Sequence, residues 1–409
     1  MKIAVFTDTH LGFGKGTERF EESFENTKNA LSLALSQKPD LIIHAGDFFD
    51  TQIPDQETWE KTFKILSEIK NSQGTFILKR TKNSETKEIT LNHIPLIAIH
   101  GTHEYRSKDF CNALDVLESA GFIIHLHAEY IVLEKNSEKV AIHGLGGVPE
   151  KMALNALKIW NPQPVKDAKN ILMLHQSIKE FLPFEDEMIA TIGIENLPKN
   201  FDLIINGHLH WTSEISEHGI EFLMPGSTIT TQMKNLESEK PKGIYVIDTQ
   251  MMSKEFMSLP NQRKLYYYSE KLDNATPEQA NEIFETKISE FLSNNDSMKP
   301  LIRVKIKGKL AKGYAPSDIK ITEIKEKFKD KAILSISTDF STMSFKKSMA
   351  ELRELQKSKK SISVLGLELL GKNLSQTDFG NELDYERIFE LLEAGENEKV
   401  IEMFSKTKK

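Results

Sequence analysis

Cysteine is nearly absent from this chain of 409 residues, and long apolar runs are missing altogether. The single cysteine, Cys111, excludes an internal disulfide and a cluster of thiolate metal ligands, and it favours a reducing compartment. No apolar run approaches the roughly 18 residues of a membrane span. Asp8 comes too early for a signal peptide. We therefore expect a cytoplasmic protein with no membrane segment.

The chain has no excess of positive charge. It contains 53 Lys and Arg residues and 60 Asp and Glu residues, which gives a formal charge of −7. A nucleic-acid partner would therefore have to be met by a local basic surface. With 39% hydrophobic and 28% charged residues, the composition excludes disordered and fibrous classes. At about 150 residues per domain, the length predicts two to three domains.

Histidine is missing from the whole chain after His218, and all 12 histidines lie between His10 and His218. In the same region five apolar segments end in polar or glycine-containing loops: Lys2–Phe6, Leu41–Ala45, Leu96–His100, Ile171–Leu174 and Leu203–Asn206. Helical patterns, Arg19–Ser36 and Asp55–Lys70, lie between the first of them. This alternation predicts an α/β layered fold whose functional loops gather at one edge of the strands.

Carboxylates and imidazoles without thiolates occupy these loops, and this set suits Mn²⁺, Fe²⁺ or Zn²⁺. Two metals about 3.5 to 4 Å apart need a bridging carboxylate, and Asp47 is the natural bridge. A single histidine of this kind is usually a core residue, but five loops of this type at strand ends favour metal binding. The candidates are Asp8, His10, Asp47, His103, His175, His208 and His210.

The remaining histidines carry no partnered motif, and we interpret them as structural. His44 and His100 are also candidates for orienting the metal ligands without binding the metal themselves. The polar stretch Lys79–His93 is predicted to be a hairpin, interpreted as a solvated loop rather than a DNA-facing element. A second hairpin is predicted from Glu214 to Met224.

Five motifs in order resemble the calcineurin-like metallophosphoesterases: Asp-x-His-Leu-Gly (8–12), Gly-Asp-Phe-Phe-Asp (46–50), Gly-Thr-His-Glu (101–104), Leu-His-Gln (174–176) and Gly-His-Leu-His (207–210). Within that superfamily the chain resembles the meiotic recombination eleven family, called SbcD in bacteria, and its length resembles the archaeal members. Pro225-Gly226-Ser227-Thr228 and Lys242-Gly243 support this resemblance. It implies a layered β-sandwich flanked by helices, a small α+β capping domain and a C-terminal helical segment that binds a partner.

The resemblance also implies a site that binds two Mn²⁺ ions, although other divalent metals are compatible with it. One ion would be held by Asp8, His10, Asp47 and His210, and the other by Asp47, His175, His208 and Thr102. His103 would orient the substrate or protonate the leaving 3′ oxygen. The implied reaction is exonucleolytic and endonucleolytic hydrolysis of DNA in double-strand-break repair, near the nucleoid of a prokaryote.

Two positions depart from the pattern of the family. Thr102 stands where the family usually has Asn, and a hydroxyl is a weaker metal ligand than an amide carbonyl. Asp50 stands where many archaeal and eukaryotic members have His. It either changes the contacts of the site or caps the helix after Pro54.

The expected domains are a nuclease domain (1–255), a DNA-binding capping domain (256–345) and a linker with partner-binding helices (346–409). In the second, Thr276 and Gln279 form a capping box that opens a helix. The strand Ile302–Leu310 alternates apolar residues with four cations. This basic stripe is either a track for a phosphate backbone or a solvated face, and it consists of Arg303, Lys305, Lys307 and Lys309.

Two amphipathic segments near the end of the chain, Ser361–Leu374 and Asp384–Phe404, need the domain body or a partner to cover their apolar faces. The resemblance favours an SMC-like ATPase as that partner, and it also implies a homodimer. Candidate dimer contacts, which core packing explains equally well, are Phe63, Leu66, Ile69, Leu114 and Leu117. Alternative functions are another calcineurin-like phosphodiesterase or phosphatase, or a catalytically weakened scaffold that tethers DNA ends.

Overall fold

A computed structural model describes residues 1–107, 110–182, 192–217, 219–294, 296–340 and Arg387. The strands are β1 (Lys2–Phe6), β2 (Leu41–Ala45), β3 (Phe76–Lys82), β4 (Glu85–Leu91), β5 (Leu96–Ile99), β6 (Ile124–His125), β7 (Glu129–Lys135), β8 (Glu138–Gly144), β9 (Lys169–Leu174), β10 (Leu203–Asn206), β11 (Ser213–Glu217), β12 (Ile220–Met224), β13 (Gly243–Asp248), β14 (Ser253–Ser258), β15 (Leu265–Ala275), β16 (Leu301–Leu310) and β17 (Ile333–Phe340). The helices are α1 (Phe20–Ser36), α2 (Gln56–Lys70), α3 (Ala113–Ser119), α4 (Glu150–Trp160), α5 (Asn235–Ser238), α6 (Pro277–Leu292) and α7 (Ile321–Phe328).

Six strands form the first sheet, in the order β14-β13-β1-β2-β5-β6. The pairs β1-β2, β2-β5 and β5-β6 are parallel, and β13 and β14 are antiparallel to their neighbours. The run from Ile3 to Phe6 is apolar throughout because both faces of β1 are covered, as expected for a parallel sheet. The loops after β1, β2 and β5 therefore leave the sheet at the same edge.

The second sheet has eight strands in the order β11-β12-β10-β9-β8-β7-β3-β4. Its middle strands β12, β10, β9 and β8 are mutually parallel, and both predicted hairpins, β3-β4 and β11-β12, are confirmed as antiparallel pairs. Fully buried residues of both sheets, such as Val5 and Ile171, share one apolar cluster, so the sheets pack face to face.

Helices cover the outer faces of this sandwich. A second apolar cluster joins Phe6 of β1 to Leu31 of α1 and Leu66 of α2, and a third joins Leu172 of β9 to Leu157 of α4. The α/β layered sandwich flanked by helices is thus confirmed. None of the helices in the described part of the chain combines the length and apolar character that a membrane crossing requires.

The described chain divides into two compact units. The first comprises 1–268, 283–304 and 321–336, and the second contains 269–282, 305–320 and the described residues beyond 336. The strands β15, β16 and β17 form a three-stranded sheet in that order. The boundaries predicted at 255 and 345 remain predictions, and the predicted partner-binding helices after 346 lie outside the described residues apart from Arg387.

Several local predictions agree with the structure. Three strands have the predicted bounds, namely β1, β2 and β10. The capping box is confirmed, because Thr276 N donates to Gln279 Oε1 at 3.0 Å and Gln279 N donates to Thr276 Oγ1 at 3.3 Å. Of the candidate dimer contacts, the structure buries Leu66, Ile69, Leu114 and Leu117 in the core, so core packing is the explanation that fits them.

Candidate metal centre

Loops that follow strands of both sheets bring the predicted ligands together. Asp8 and His10 follow β1, and Asp47 follows β2. From the second sheet, His175 follows β9, and His208 and His210 follow β10. Among the described residues, three groups of side chains have their ligand atoms within 4.8 Å of one another, one of which is His10, Asp50 and His103. The two ligand groups that consist of predicted metal ligands are Asp8, His10, Asp47 and His210 in one, and Asp47, His175 and His208 in the other. Because Asp47 belongs to both groups, its carboxylate lies where a bridging ligand is needed.

The backbone of this site is strained. Asp8, His10, Asp47 and His208 have φ values of 52°, 45°, 50° and 77°, in the left-handed region that residues with a Cβ rarely adopt. Gly101 lies so close to Asp47 that a Cβ would be 2.1 Å from Asp47 Oδ1. Strain of this kind persists where the surrounding structure imposes it, commonly at functional sites.

Hydrogen bonds fix which ring nitrogen of each histidine remains free. His175 Nδ1 donates to the carbonyl of Ala45 at 2.8 Å, and His10 Nδ1 donates to Asp50 Oδ1 at 3.1 Å. Their Nε2 atoms are therefore lone-pair donors in the neutral rings. In His208 the bonded nitrogen is Nε2 instead. Ser177 Oγ donates its proton to Glu150 Oε1, so it accepts from His208 Nε2 at 3.0 Å, and Nδ1 of His208 remains free.

Electrostatics within the site favour bound positive charge. Asp8 and Asp47 are 0% and 1% exposed. Burial and the charge of Asp47 raise the pKa of Asp8 to about 6, although His175 opposes the change. Burial disfavours the charged form of His175, but the Asp47 and Asp8 carboxylates outweigh it and raise its pKa to about 10. Burial and the neighbouring His10 hold the pKa of His210 well below its usual range.

The donor set fits divalent cations. His175 Nε2 lies 3.1 Å from Asp47 Oδ2 but forms no hydrogen bond with any described residue. His10 Nε2 and His210 Nε2 lie 3.2 Å apart, and Thr231 Oγ1 is available to accept from His210 Nδ1 at 2.7 Å. Two bare lone pairs at this distance would repel each other, so a proton on His10 Nε2 or a cation bound between the two rings is needed. Buried carboxylates and imidazoles without thiolates are ligands for Mn²⁺, Fe²⁺ or Zn²⁺.

His103 lies at the mouth of this site. Its side chain is 42% exposed, its Nδ1 donates to the backbone carbonyl of Asp50 at 2.8 Å, and its backbone N–H donates to Asp47 Oδ1 at 2.9 Å. The free Nε2 can therefore meet a ligand from solvent. The ring packs edge-on against that of His10, 4.8 Å away.

The suggestion that Asp50 caps a helix is wrong. The cap of α2 is Asp55, whose Oδ1 accepts from Thr58 N at 3.0 Å. Asp50 is too far from the helix start in sequence, and its carboxylate instead orients His10. Asp50 Oδ1 also lies 3.8 Å from His103 Nδ1, so this one carboxylate is next to two imidazole rings.

Glu104 connects two of the ligand-bearing loops. It is fully buried, and its carboxylate accepts from Phe49 N at 2.5 Å and from Gly101 N at 2.7 Å. Burial and the Asp47 charge raise its pKa to about 8. Thr102, between Gly101 and His103, is half-buried in the turn and stays a predicted ligand.

Lys242 supports the loop that carries His210, and the sequence did not indicate this role. Lys242 is almost completely buried, and its ammonium donates to the His210 carbonyl at 2.8 Å, to Ser227 Oγ at 2.9 Å and to Glu237 Oε1 at 3.0 Å. The Lys242-Gly243 motif was the only signal in the sequence, and nothing in it indicated a buried ion pair.

Replacement of Lys242 by Met should destabilise the protein by about 3 kcal/mol or more, because the Glu237 carboxylate then remains buried and unpaired. Urea unfolding followed by circular dichroism measures the change. The double variant Lys242→Met, Glu237→Leu should regain much of the loss. Equal stability of the single variant and the wild type would contradict this role of the pair.

Two other histidines behave as interpreted. His44 Nε2 lies 3.1 Å from Thr9 Oγ1, so it supports the residue between Asp8 and His10. His100 Nδ1 lies 2.9 Å from His125 Nε2 in a separate buried pair. Neither residue belongs to the two ligand groups.

The profile of the calcineurin-like phosphoesterase family matches residues 1–212, which span the strands and loops of this site. The chain belongs to that family. Among curated proteins it is similar to the double-strand break repair protein MRE11 of Encephalitozoon cuniculi, with 26% identity over 57% of this chain and 43% of that protein. The DNA double-strand break repair protein Mre11 of Saccharolobus solfataricus is 26% identical over 61% of this chain and 60% of its own length.

The human double-strand break repair protein MRE11 is also 26% identical, over 81% of this chain and 53% of that protein. These similarities confirm the predicted resemblance to the meiotic recombination eleven family. The chain spans about half the length of the curated relatives it matches.

Proposed function

We propose that this protein is a Mn²⁺-dependent DNA nuclease of double-strand-break repair, acting as a 3′-to-5′ exonuclease and an endonuclease. The observation that carries the proposal is the pair of ligand groups joined by Asp47, with the exposed His103 ring beside them. Phosphodiester hydrolysis needs positive charge for the phosphate and a proton for the leaving oxygen, and this arrangement provides both. Relatives named as double-strand break repair proteins favour DNA as the substrate.

We assign the roles of the side chains from their positions and from the family resemblance. Asp8, His10, Asp47 and His210 would hold one divalent cation, and Asp47, His175, His208 and Thr102 the second. When bound, the two cations supply Lewis-acid activation of water and neutralise the charge of the phosphate. His103, held through Nδ1 by the Asp50 carbonyl, presents Nε2 to the substrate and donates a proton to the leaving 3′ oxygen.

The direct test measures cleavage of an end-labelled DNA duplex and of a small aryl phosphodiester by the full chain, with Mn²⁺ and with EDTA. Release of nucleotides that depends on Mn²⁺ supports the nuclease proposal. Hydrolysis of the small ester without cleavage of DNA would point to another phosphodiesterase or phosphatase. Inactivity on both substrates, with retained DNA binding, would instead favour a tethering scaffold.

Thr102→Asn should increase the affinity of the second metal several-fold, because an amide carbonyl is a better ligand than a hydroxyl. Calorimetric titration with Mn²⁺ measures the two binding steps, and Thr90→Asn, on the exposed strand β4, serves as the control. Titration curves that are unchanged in Thr102→Asn would remove Thr102 from the proposed ligands.

The basic stripe of β16 is proposed to contact the DNA backbone. Along the strand, Ile302, Val304 and Ile306 are buried, whereas the intervening Lys305 is half-buried and Lys307 is exposed. Arg303 differs from the lysines because its Nη1 donates to the Gln232 carbonyl at 3.1 Å. The lysines therefore present the more accessible charges.

Charge reversal of Lys305 and Lys307 to Glu should weaken DNA binding and reduce the slope of log K against log salt by about 2, roughly one for each lost phosphate contact. Fluorescence anisotropy with a labelled duplex at several salt concentrations measures the slope. Reversal of Lys64 and Lys151, which lie on helices of the sandwich, is the control. The same slope in both double variants would leave the stripe as a solvated face.

Homodimerisation and an SMC-like ATPase are proposed as the remaining assembly. The support is the resemblance to repair proteins together with the amphipathic pattern of 361–374 and 384–404. Sedimentation of the full chain, alone and with such an ATPase, tests both.

A further inference from the structure

Lys234 is a cation next to the loop that carries His208 and His210, and none of the roles assigned above uses it. Thr231 Oγ1 lies 2.7 Å from His210 Nδ1, and the Lys234 ammonium lies over the Trp211 ring, 5.5 Å from its centroid. Three residues of chain span at most about 11 Å, so the contact made by Thr231 keeps Lys234 close to the metal ligands.

The segment 228–232, which leads to Lys234, is firmly anchored. Every second backbone carbonyl in it accepts a hydrogen bond from a side chain outside the segment. The three bonds run from Asn26 to Thr228 at 2.9 Å, from Arg19 to Thr230 at 2.6 Å and from Arg303 to Gln232 at 3.1 Å. Ile229, between two of these carbonyls, is fully buried. The fold therefore sets the position of Lys234 at the end of this segment.

Two cations at this place lack an acidic partner. Among the described residues, Lys234 Nζ forms no hydrogen bond and no ion pair, and Arg303 forms no ion pair. Glu237, the acid nearest to Lys234 in sequence, is already bound to the Lys242 ammonium at 3.0 Å and to the Lys234 backbone N–H at 3.2 Å. The positive charges of Lys234 and Arg303 are therefore not neutralised within this part of the chain.

The Lys234 ammonium can be reached from solvent. Its side chain is half-buried, and the buried side-chain atoms that lack a hydrogen bond do not include Lys234 Nζ. Arg303 Nη2 is open in the same way, whereas Arg303 Nε is buried and unpaired. A ligand can thus meet one nitrogen atom of each residue without entering the core.

The charges near Lys234 disfavour one another. Burial lowers the pKa of Lys234, Glu237 opposes this change, and the Arg303 charge lowers the pKa further. Burial and the His175 charge lower the pKa of His208 to about 4, and the Lys234 charge acts in the same direction. The ammonium is therefore close enough to act on a proposed metal ligand. An anion that binds Lys234 and Arg303 together relieves the repulsion between them.

We propose that Lys234 and Arg303 bind a phosphate of the nucleic-acid substrate, the one next in the strand to the phosphate at the metal centre. Ammonium and guanidinium groups donate charge-assisted hydrogen bonds to phosphate oxygens, and such contacts position a strand without reading its sequence. The inference rests on the proposed nuclease function and adds a substrate requirement to it. The site acts better on a strand with neighbouring phosphates than on an ester with a single phosphate.

Steady-state hydrolysis by the full chain with Mn²⁺ separates this role from a structural one. The substrates are an oligothymidylate and the small aryl phosphodiester, which has no second phosphate. In Lys234→Gln, the ratio of kcat/KM on the oligothymidylate to kcat/KM on the aryl ester should fall about tenfold, chiefly through a higher KM for the oligothymidylate. Lys234→Arg keeps the charge and should restore most of the ratio. Lys240→Gln, in the exposed loop after α5, is the matched control and should keep the wild-type ratio.

Equilibrium binding without metal gives a second measurement that needs no turnover. Fluorescence anisotropy of a labelled oligothymidylate in EDTA should show about fivefold to tenfold weaker binding by Lys234→Gln than by the wild type. The slope of log K against log salt should be shallower by about 0.7, the value for one phosphate contact with a single strand. Lys240→Gln should bind as the wild type does.

A wild-type ratio of kcat/KM values in Lys234→Gln would overturn the inference and leave the nuclease proposal intact. This includes a variant that loses activity equally on both substrates, because that pattern belongs to a structural role. If the wild type hydrolyses neither substrate, the nuclease proposal fails and the anisotropy decides. Weaker binding with the shallower slope then supports the phosphate contact, and binding equal to that of the wild type overturns it.

Discussion

Replacement of His103 by Ala should lower the rate of Mn²⁺-dependent DNA cleavage by about 10² to 10⁴, the usual contribution of a general acid. The ring forms a hydrogen bond with the backbone carbonyl of Asp50 and is 42% exposed, and it contacts the ligand His10 through edge-on packing of the two rings. Its removal therefore leaves the buried ligands and their hydrogen bonds intact. Binding of Mn²⁺ should stay within about twofold of the wild type, so the loss falls on the chemical step.

A matched control and a rescue make this result specific. His93→Ala is the matched control. The His93 ring is half-buried, its Nδ1 lies 3.1 Å from the Ile94 carbonyl oxygen, and it is outside the ligand groups. This variant should cleave DNA at the wild-type rate. Because the place of His103 is open to solvent, added imidazole should restore part of the activity of His103→Ala. A variant that cleaves DNA at the wild-type rate, or one that loses Mn²⁺ binding together with activity, would show that His103 is not the proton donor.

Asp47→Asn should abolish activity, with a loss of at least about 10³, and should remove most of the affinity for Mn²⁺. Asp47 is the one residue common to both ligand groups, so its charge and its second oxygen serve two cations at once. An amide keeps the shape of the side chain but offers one neutral oxygen. The variant therefore isolates charge and bridging from packing.

Thermal unfolding with and without Mn²⁺ provides the second measurement. A ligand that binds only the folded state raises the Tm according to its concentration relative to its Kd. The wild type should show this rise, and Asp47→Asn should show little of it. Asp248→Asn, at the exposed last residue of β13, is the control. A normal rise in Asp47→Asn would mean that the cations bind elsewhere.

The local sequence was enough to predict the strands that carry the site and the loops that follow them. The runs Lys2–Phe6, Leu41–Ala45 and Leu203–Asn206 are apolar and short, and polar residues directly follow them, so their ends were fixed by the chain itself. Parallel pairing then places the following loops at one edge of a sheet. The ligand candidates could be collected in this way because each is adjacent in sequence to the strand that carries it.

Contacts between distant segments could not be predicted in the same way. Asp50 orients His10 across 40 residues of sequence, and Lys242 supports the His210 loop from 32 residues away. Burial of an ammonium depends on partners from three separate segments, and a lysine in the sequence does not indicate such partners. For the same reason, a helix cap was a reasonable interpretation of Asp50 until the structure showed that Asp55 occupies that position.

The sequence by itself determined the strands, the residue types at their ends and the family, because these depend on periodicity and on neighbours along the chain. Only the tertiary structure decided which ring nitrogen of each ligand histidine is free and that Asp47 belongs to both ligand groups. Those properties arise from hydrogen bonds and packing between segments that the fold brings together, and a linear pattern does not contain them.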